Sequence, residues 1–100
     1  MTTLHLIKQS QFNTNVFSLC GAILSKDDAI VLLDDGVYNT KHPEFDALVS
    51  AIGEDVKDKV FVIEHHFVAR GFTNLQAKVS AIPMTKLVDL SLAHDKTITW

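Results

Sequence analysis

Ala29-Ile30-Val31-Leu32-Leu33 runs without a polar break and stops at Asp34-Asp35-Gly36. A largely aliphatic run with no alternation describes a strand covered on both faces, as in parallel sheets. Val60-Phe61-Val62-Ile63 repeats the pattern further on. Upstream, Leu4-His5-Leu6-Ile7 reads as a short first strand. Between these strands, Asn13 suits the N-cap of a helix carrying Val16, Phe17, Cys20, Ile23 and Leu24 at helical spacing. Downstream, Pro43 sits near the start of a helix carrying Phe45, Leu48, Val49 and Ile52, and Gly53 ends it.

The rest of the chain keeps the rhythm. Glu64 to Gly71 predicts one or two helical turns, stopped by a glycine suited to a left-handed C-cap. Val79 to Ile82 predicts a short strand before Pro83. Thr85 is placed to cap a last helix carrying Leu87, Val88, Leu90, Ser91 and Leu92, ending near His94-Asp95. Thr97-Ile98-Thr99-Trp100 alternates and reads as extended. Strands alternating with helices predict the α/β class: a three-layer α/β/α sandwich with a mainly parallel sheet of about five strands.

With 100 residues, the chain is read as one domain spanning 1–100, because there is too little material for two cores. Its hydrophobic fraction, 47%, is high for its size and hints at an interface. Net charge is −3, and no Lys/Arg cluster exists: Lys8 and Arg70 are isolated, and Lys57 and Lys59 interleave with Asp55 and Asp58. Direct nucleic-acid binding, which rests on basic patches, is therefore disfavoured. A lone Cys20 excludes an intrachain disulfide and any Cys-x-x-Cys motif. No signal-peptide core and no membrane span of roughly 18 apolar residues is found, so the reduced cytoplasm is the expected compartment.

Five segments, in order, resemble the DsrH/TusB family nearly end to end. They are Leu4-His5 with Ser10 and Phe12; Asp35-Gly36-Val37-Tyr38; Ala69-Arg70-Gly71; Val88-Asp89-Leu90; and His94 with terminal Trp100. The resemblance implies a DsrE-like α/β/α fold and assembly with two related DsrE-like subunits into a heterohexamer. Such a complex relays persulfide sulfur to a downstream acceptor protein, toward 2-thiouridine at the tRNA wobble position or within dissimilatory sulfur oxidation. It implies an accessory subunit of a sulfurtransferase complex, with no cofactor. The resemblance departs at Pro83-Met84, where the family usually has an Asp-Tyr pair before the last helix.

Cys20 is the one residue able to carry sulfur, and the resemblance adds that sulfur-oxidising members place a cysteine at the matching position. Its helical neighbours Val16, Phe17, Ile23 and Leu24 include no basic group to favour a thiolate. A buried core thiol is the competing reading. Asp34-Asp35-Gly36 reads as a turn, not a ligand site, because no glycine-rich phosphate loop accompanies it. His5, His42, His65, His66 and His94 lack metal-ligand spacing and read as solvated or capping residues; His94 suits a helix C-terminus. Arg70 is a candidate to pair a carboxylate across a subunit boundary or within the chain. Trp100 is a candidate interface anchor, or else it closes the chain's own core. Three functions compete: an interaction subunit whose partner holds the essential cysteine, a sulfurtransferase working through Cys20, and a flavodoxin-like nucleotide binder. The missing phosphate loop disfavours the last.

Overall fold

The computed structural model describes residues 2–52, 58–75 and 78–100. Its strands are β1 (Thr3–Ile7), β2 (Ala29–Leu32), β3 (Val60–Ile63), β4 (Ser80–Ile82) and β5 (Lys96–Thr99). They form one sheet in the order β4-β3-β2-β1-β5, and every pairing is parallel. The helices are α1 (Val16–Ile23), α2 (Phe45–Leu48), α3 (Glu64–Ala69) and α4 (Lys86–Ala93). The chain steps outward from β1 to β4 and then returns to place β5 on the other side of β1. Right-handed crossovers therefore put α1, α2 and α3 on one face of the sheet and α4 on the other.

Two apolar clusters record those faces. Ile7, Ile30, Leu32, Val60 and Val62 pack with Phe17 and Cys20 of α1, Phe45 of α2 and Phe67 of α3. Leu4, Val31 and Ile63 turn the opposite way, with Leu87 and Leu90 of α4 against them. The fully buried run Ala29–Leu32 is covered on both sides, which explains its lack of alternation. β5 is an edge strand and alternates, with only Ile98 half-buried. The three-layer parallel architecture predicted from the sequence is present.

Three local expectations are corrected. Asn13 does not cap α1; it lies in a turn where the Ser10 carbonyl accepts the Asn13 and Thr14 N–H groups, both at 3.0 Å. The opening N–H groups of α1 go instead to Thr14 Oγ1 (from Val16, 3.4 Å) and Gln11 Oε1 (from Ser18, 3.2 Å). The helix expected after Pro43 is shorter, only Phe45–Leu48, followed by a 3-10 turn at Ser50–Ile52; Gly53, its expected stop, lies outside the described residues. Thr85 stands before α4 but makes no side-chain cap bond; the Pro83 and Met84 carbonyls begin the helix by accepting Lys86 and Leu87 N–H at 3.0 Å.

Gly71 fulfils its expected role. It has φ 83°, and its N–H donates to the Val68 carbonyl at 3.0 Å while Phe72 N–H reaches the Phe67 carbonyl at 3.3 Å. Those two bonds form a Schellman ending, and its apolar contact is the Phe67–Phe72 stack at 5.0 Å. A Cβ on Gly71 would meet nothing within 4 Å, so a substitution is strained without being crowded. Gly71→Val is expected to destabilise by about 1–2 kcal/mol through the left-handed backbone alone. Thermal unfolding checks this: an unchanged melting temperature rules out the left-handed ending.

Candidate functional site

At the carboxyl ends of β1 and β2, two loops enclose a shallow cleft of about 420 Å³ lined by Ser10, Phe12, Asn13, Asp35 and Tyr38. Its floor is a 3-10 segment, Asp34–Lys41, laid directly on the end of β1. Gly36 permits that approach. A methyl there would lie 2.8 Å from the Ile7 carbonyl carbon and closer still to its oxygen. Buried Asn39 ties the two loops, its Nδ2 donating to the Gln9 carbonyl at 3.0 Å and its Oδ1 accepting Gln11 N–H at 2.7 Å. Asp34 takes φ 51°, and its N–H donates to His66 Nδ1 at 2.8 Å. The turn reading of Asp34-Asp35-Gly36 thus describes its geometry.

Arg70, just past the end of α3, pairs with Asp35, which lines this cleft. Its Nε and Nη2 each lie 3.1 Å from Asp35 Oδ1, and Nη1 donates to the His66 carbonyl at 3.4 Å. The intrachain carboxylate is therefore its partner in this chain. The pair is partly solvated, so its net contribution is at most about 1 kcal/mol. Its effect is to fix the loop against α3.

Cys20 is far from solvent. It is fully buried among Ile7, Phe17 and their neighbours in the core. Gly21 beside it allows α1 to approach α2, with a Cβ there falling 3.2 Å from the Leu48 carbonyl oxygen. Burial pushes the Cys20 thiol up to about 12, and the negative charge of Asp28 adds to the shift. Essentially no thiolate exists at neutral pH, and the thiolate is the attacking species in persulfide chemistry. In this conformation Cys20 is a neutral thiol inside the core.

Sequence reasoning missed one buried polar arrangement. His5 is 1% exposed, so it is neither solvated nor capping as expected. Trp100 Nε1–H donates to His5 Nδ1 at 3.0 Å, and His5 Nε2 lies 3.0 Å from Asp28 Oδ2. An indole N–H can only donate, so Nδ1 must accept and the ring proton sits on Nε2, facing Asp28. Asp28 also accepts Thr3 N–H and Ser25 N–H, both at 3.0 Å. Burial alone would raise its carboxyl, but the bonds from His5, Ser25 and Thr3 outweigh burial and hold it below its ordinary 3.8. The available signal was position: His5 shares the inward face of β1 with Ile7, and nothing local named its partners.

Two of the other histidines sit at backbone ends. His94 Nδ1–H donates to the Leu90 carbonyl at 2.8 Å, closing α4 as its position suggested, and His42 Nδ1 accepts Glu44 N–H at 3.1 Å. Among the described residues, no group of three His, Cys, Asp or Glu gathers to hold a metal ion. Trp100 packs against the core beside Cys20's cluster, and its backbone extends the ladder, donating to Leu6 at 2.7 Å and accepting Lys8 N–H at 3.1 Å.

The chain has relatives over nearly its whole length. A family profile described as "DsrH like protein" matches residues 9–97. Protein TusB of Buchnera aphidicola subsp. Acyrthosiphon pisum (strain 5A) is 35% identical over 98 residues, covering 97% of this chain and 99% of that one. Protein TusB of Buchnera aphidicola subsp. Baizongia pistaciae (strain Bp) is 28% identical over the same coverage. Among solved structures, Protein Tm0979 from Thermotoga maritima is similar with TM-score 0.63 and 26% identity, covering 91% of this chain and 92% of that one. The ychN protein from E. coli shares the fold at TM-score 0.64, with 15% identity over the whole of both chains. With similarity running from the first strand to the last, this chain belongs to the DsrH-like family.

Proposed function

We propose that the chain is an accessory subunit of a cytoplasmic sulfur-relay complex, in which two related DsrE-like subunits complete a heterohexamer serving tRNA wobble-uridine 2-thiolation. The observation that carries this reading is the state of Cys20. The relay step is attack by an acceptor thiolate on the outer sulfur of a donor persulfide. The new sulfur–sulfur bond forms as the donor thiolate leaves. A fully buried thiol with a pKa pushed up to about 12 supplies no such nucleophile, so a partner subunit holds the carrier cysteine. This subunit contributes shape. Its net charge of −3 fits contact with the RNA through other proteins. Among the described residues, no helix is long and apolar enough to cross a membrane.

The expected result is that Cys20→Ser, in the assembled complex, leaves most sulfur transfer intact, while omission of the subunit abolishes it. A reconstituted relay with labelled sulfur compares the two. If Cys20→Ser is as inactive as omission while the complex still assembles, the scaffold reading fails. Cys20 is then a persulfide carrier, as the sulfur-oxidation reading of the family requires.

A further inference from the structure

His5 holds two partners that want opposite things from it. Asp28, on the loop before β2, presents a carboxylate to Nε2, and an ionised carboxylate favours an imidazolium. Trp100, following β5, presents an indole N–H to Nδ1, and that bond exists only while Nδ1 keeps a free lone pair. A second proton on His5 must go to Nδ1, because Nε2 already carries one. Protonation and the docked indole are therefore mutually exclusive.

We propose that His5 is a pH-read latch on the C-terminal strand: the neutral ring holds Trp100 and β5 in place, and the imidazolium, paired with Asp28, releases them. The geometry gives the switch two defined states. In the closed state the rings of His5 and Trp100 are stacked with centroids 6.2 Å apart and both ring nitrogens are used. In the open state the imidazolium keeps its charge-assisted bond to Asp28, while Nδ1–H opposes the indole donor. Among the described residues, Cys20 packs in the core on that side, and burial and Asp28 keep it neutral. Lys59, before β3, pairs with the exposed Asp27 at 3.7 Å.

The element released is suited to move. β5 is a short edge strand, mostly exposed, and it ends in the bond from Trp100 N–H to the Leu6 carbonyl. Losing it bares the β1 edge, a row of backbone donors and acceptors that another chain can pair with. It also uncovers the part of the core on which Trp100 packs. Asp28 cannot be the trigger near neutral pH, since its carboxyl stays ionised to below 3.8. A histidine side chain is the group whose charge ordinarily changes between about pH 5 and 8.

The test follows the full chain from pH 8 to pH 5 at fixed ionic strength. Fluorescence of Trp100, the sole tryptophan, reports the latch; amide exchange of Thr97, Ile98 and Thr99 reports β5; circular dichroism reports the global fold. The expected result is a red shift and an about tenfold rise in β5 exchange, beyond the intrinsic pH effect, while β2 and β3 amides stay protected. His5→Gln, whose amide can accept from Trp100 and donate to Asp28 but cannot titrate, should stay closed throughout. Trp100→Phe, which has no N–H, should lose the pH step in β5 exchange. A wild-type protein whose Trp100 and β5 signals do not change before global unfolding overturns the latch. So does a step that persists in His5→Gln, or, where that variant does not fold, in Trp100→Phe.

Discussion

Gly36→Ala is expected to destabilise this protein by about 3 kcal/mol or more. Glycine is usually explained by backbone freedom, but Gly36 does not have a positive φ; among the described residues only Gly71 and Asp34 do. Its requirement is space. The added carbon would sit inside contact distance of the Ile7 carbonyl, a backbone group held at the end of the β1–β2 ladder. Relief means lifting the Asp34–Lys41 segment off β1. That motion breaks the bond from Leu33 N–H to the Ile7 carbonyl, now 3.0 Å, and disturbs buried Val37 and Asn39. Urea unfolding followed by Trp100 fluorescence and circular dichroism measures the loss. A variant within 1 kcal/mol of wild type, at about the same m-value, disproves the close approach.

Asp28→Asn should cost about 3 kcal/mol at neutral pH although it changes only one oxygen for an NH2. The carboxylate accepts from Thr3, Ser25 and His5, and an amide offers a single accepting oxygen for these three donors. His5 cannot adapt by moving its proton to Nδ1, because the Trp100 indole donates there. Each repair leaves a buried donor facing another donor. The pH dependence has a definite sign. The folded Asp28 carboxyl is held below its ordinary value, so its contribution is fully present above about pH 4–5 and is lost as pH falls through the folded pKa. The gap between wild type and Asp28→Asn should therefore be present at neutral pH and narrow below about pH 4. Chemical unfolding at pH 7 and at pH 3 checks both points. A gap wider at pH 3 than at pH 7 contradicts the hydrogen-bonding account.

The strands were legible in the sequence because a strand's burial is written in its own residues. Ala29–Leu32 had to be covered on both sides whatever covered it, and Val60–Ile63 likewise; both lie inside the parallel sheet. Gly71 was legible for the same reason, since a helical stretch ended at a residue that tolerates left-handed φ. The cap of α1 was not legible. Asn13 is a better cap than Thr14 on local preference, yet the Ser10 carbonyl captured its N–H, and Gln11 folded back onto Ser18. Local propensity lost to a turn that the loop's packing against Asn39 imposes.

The residues of chemical interest divide along the same line. The sequence by itself determined that Cys20 is the lone thiol, that its helical neighbours are apolar, and that Arg70 and Trp100 needed partners. Only the tertiary structure decided who those partners are. Asp35 lies 35 positions from Arg70, and His5 lies 95 positions from Trp100. Cys20 owes part of its raised pKa to Asp28, which neither helix periodicity nor cap chemistry places near it. Periodicity specifies which face of an element is buried. It carries no information about which polar group waits on the other side, because that depends on the crossovers that bring β1 between β2 and β5.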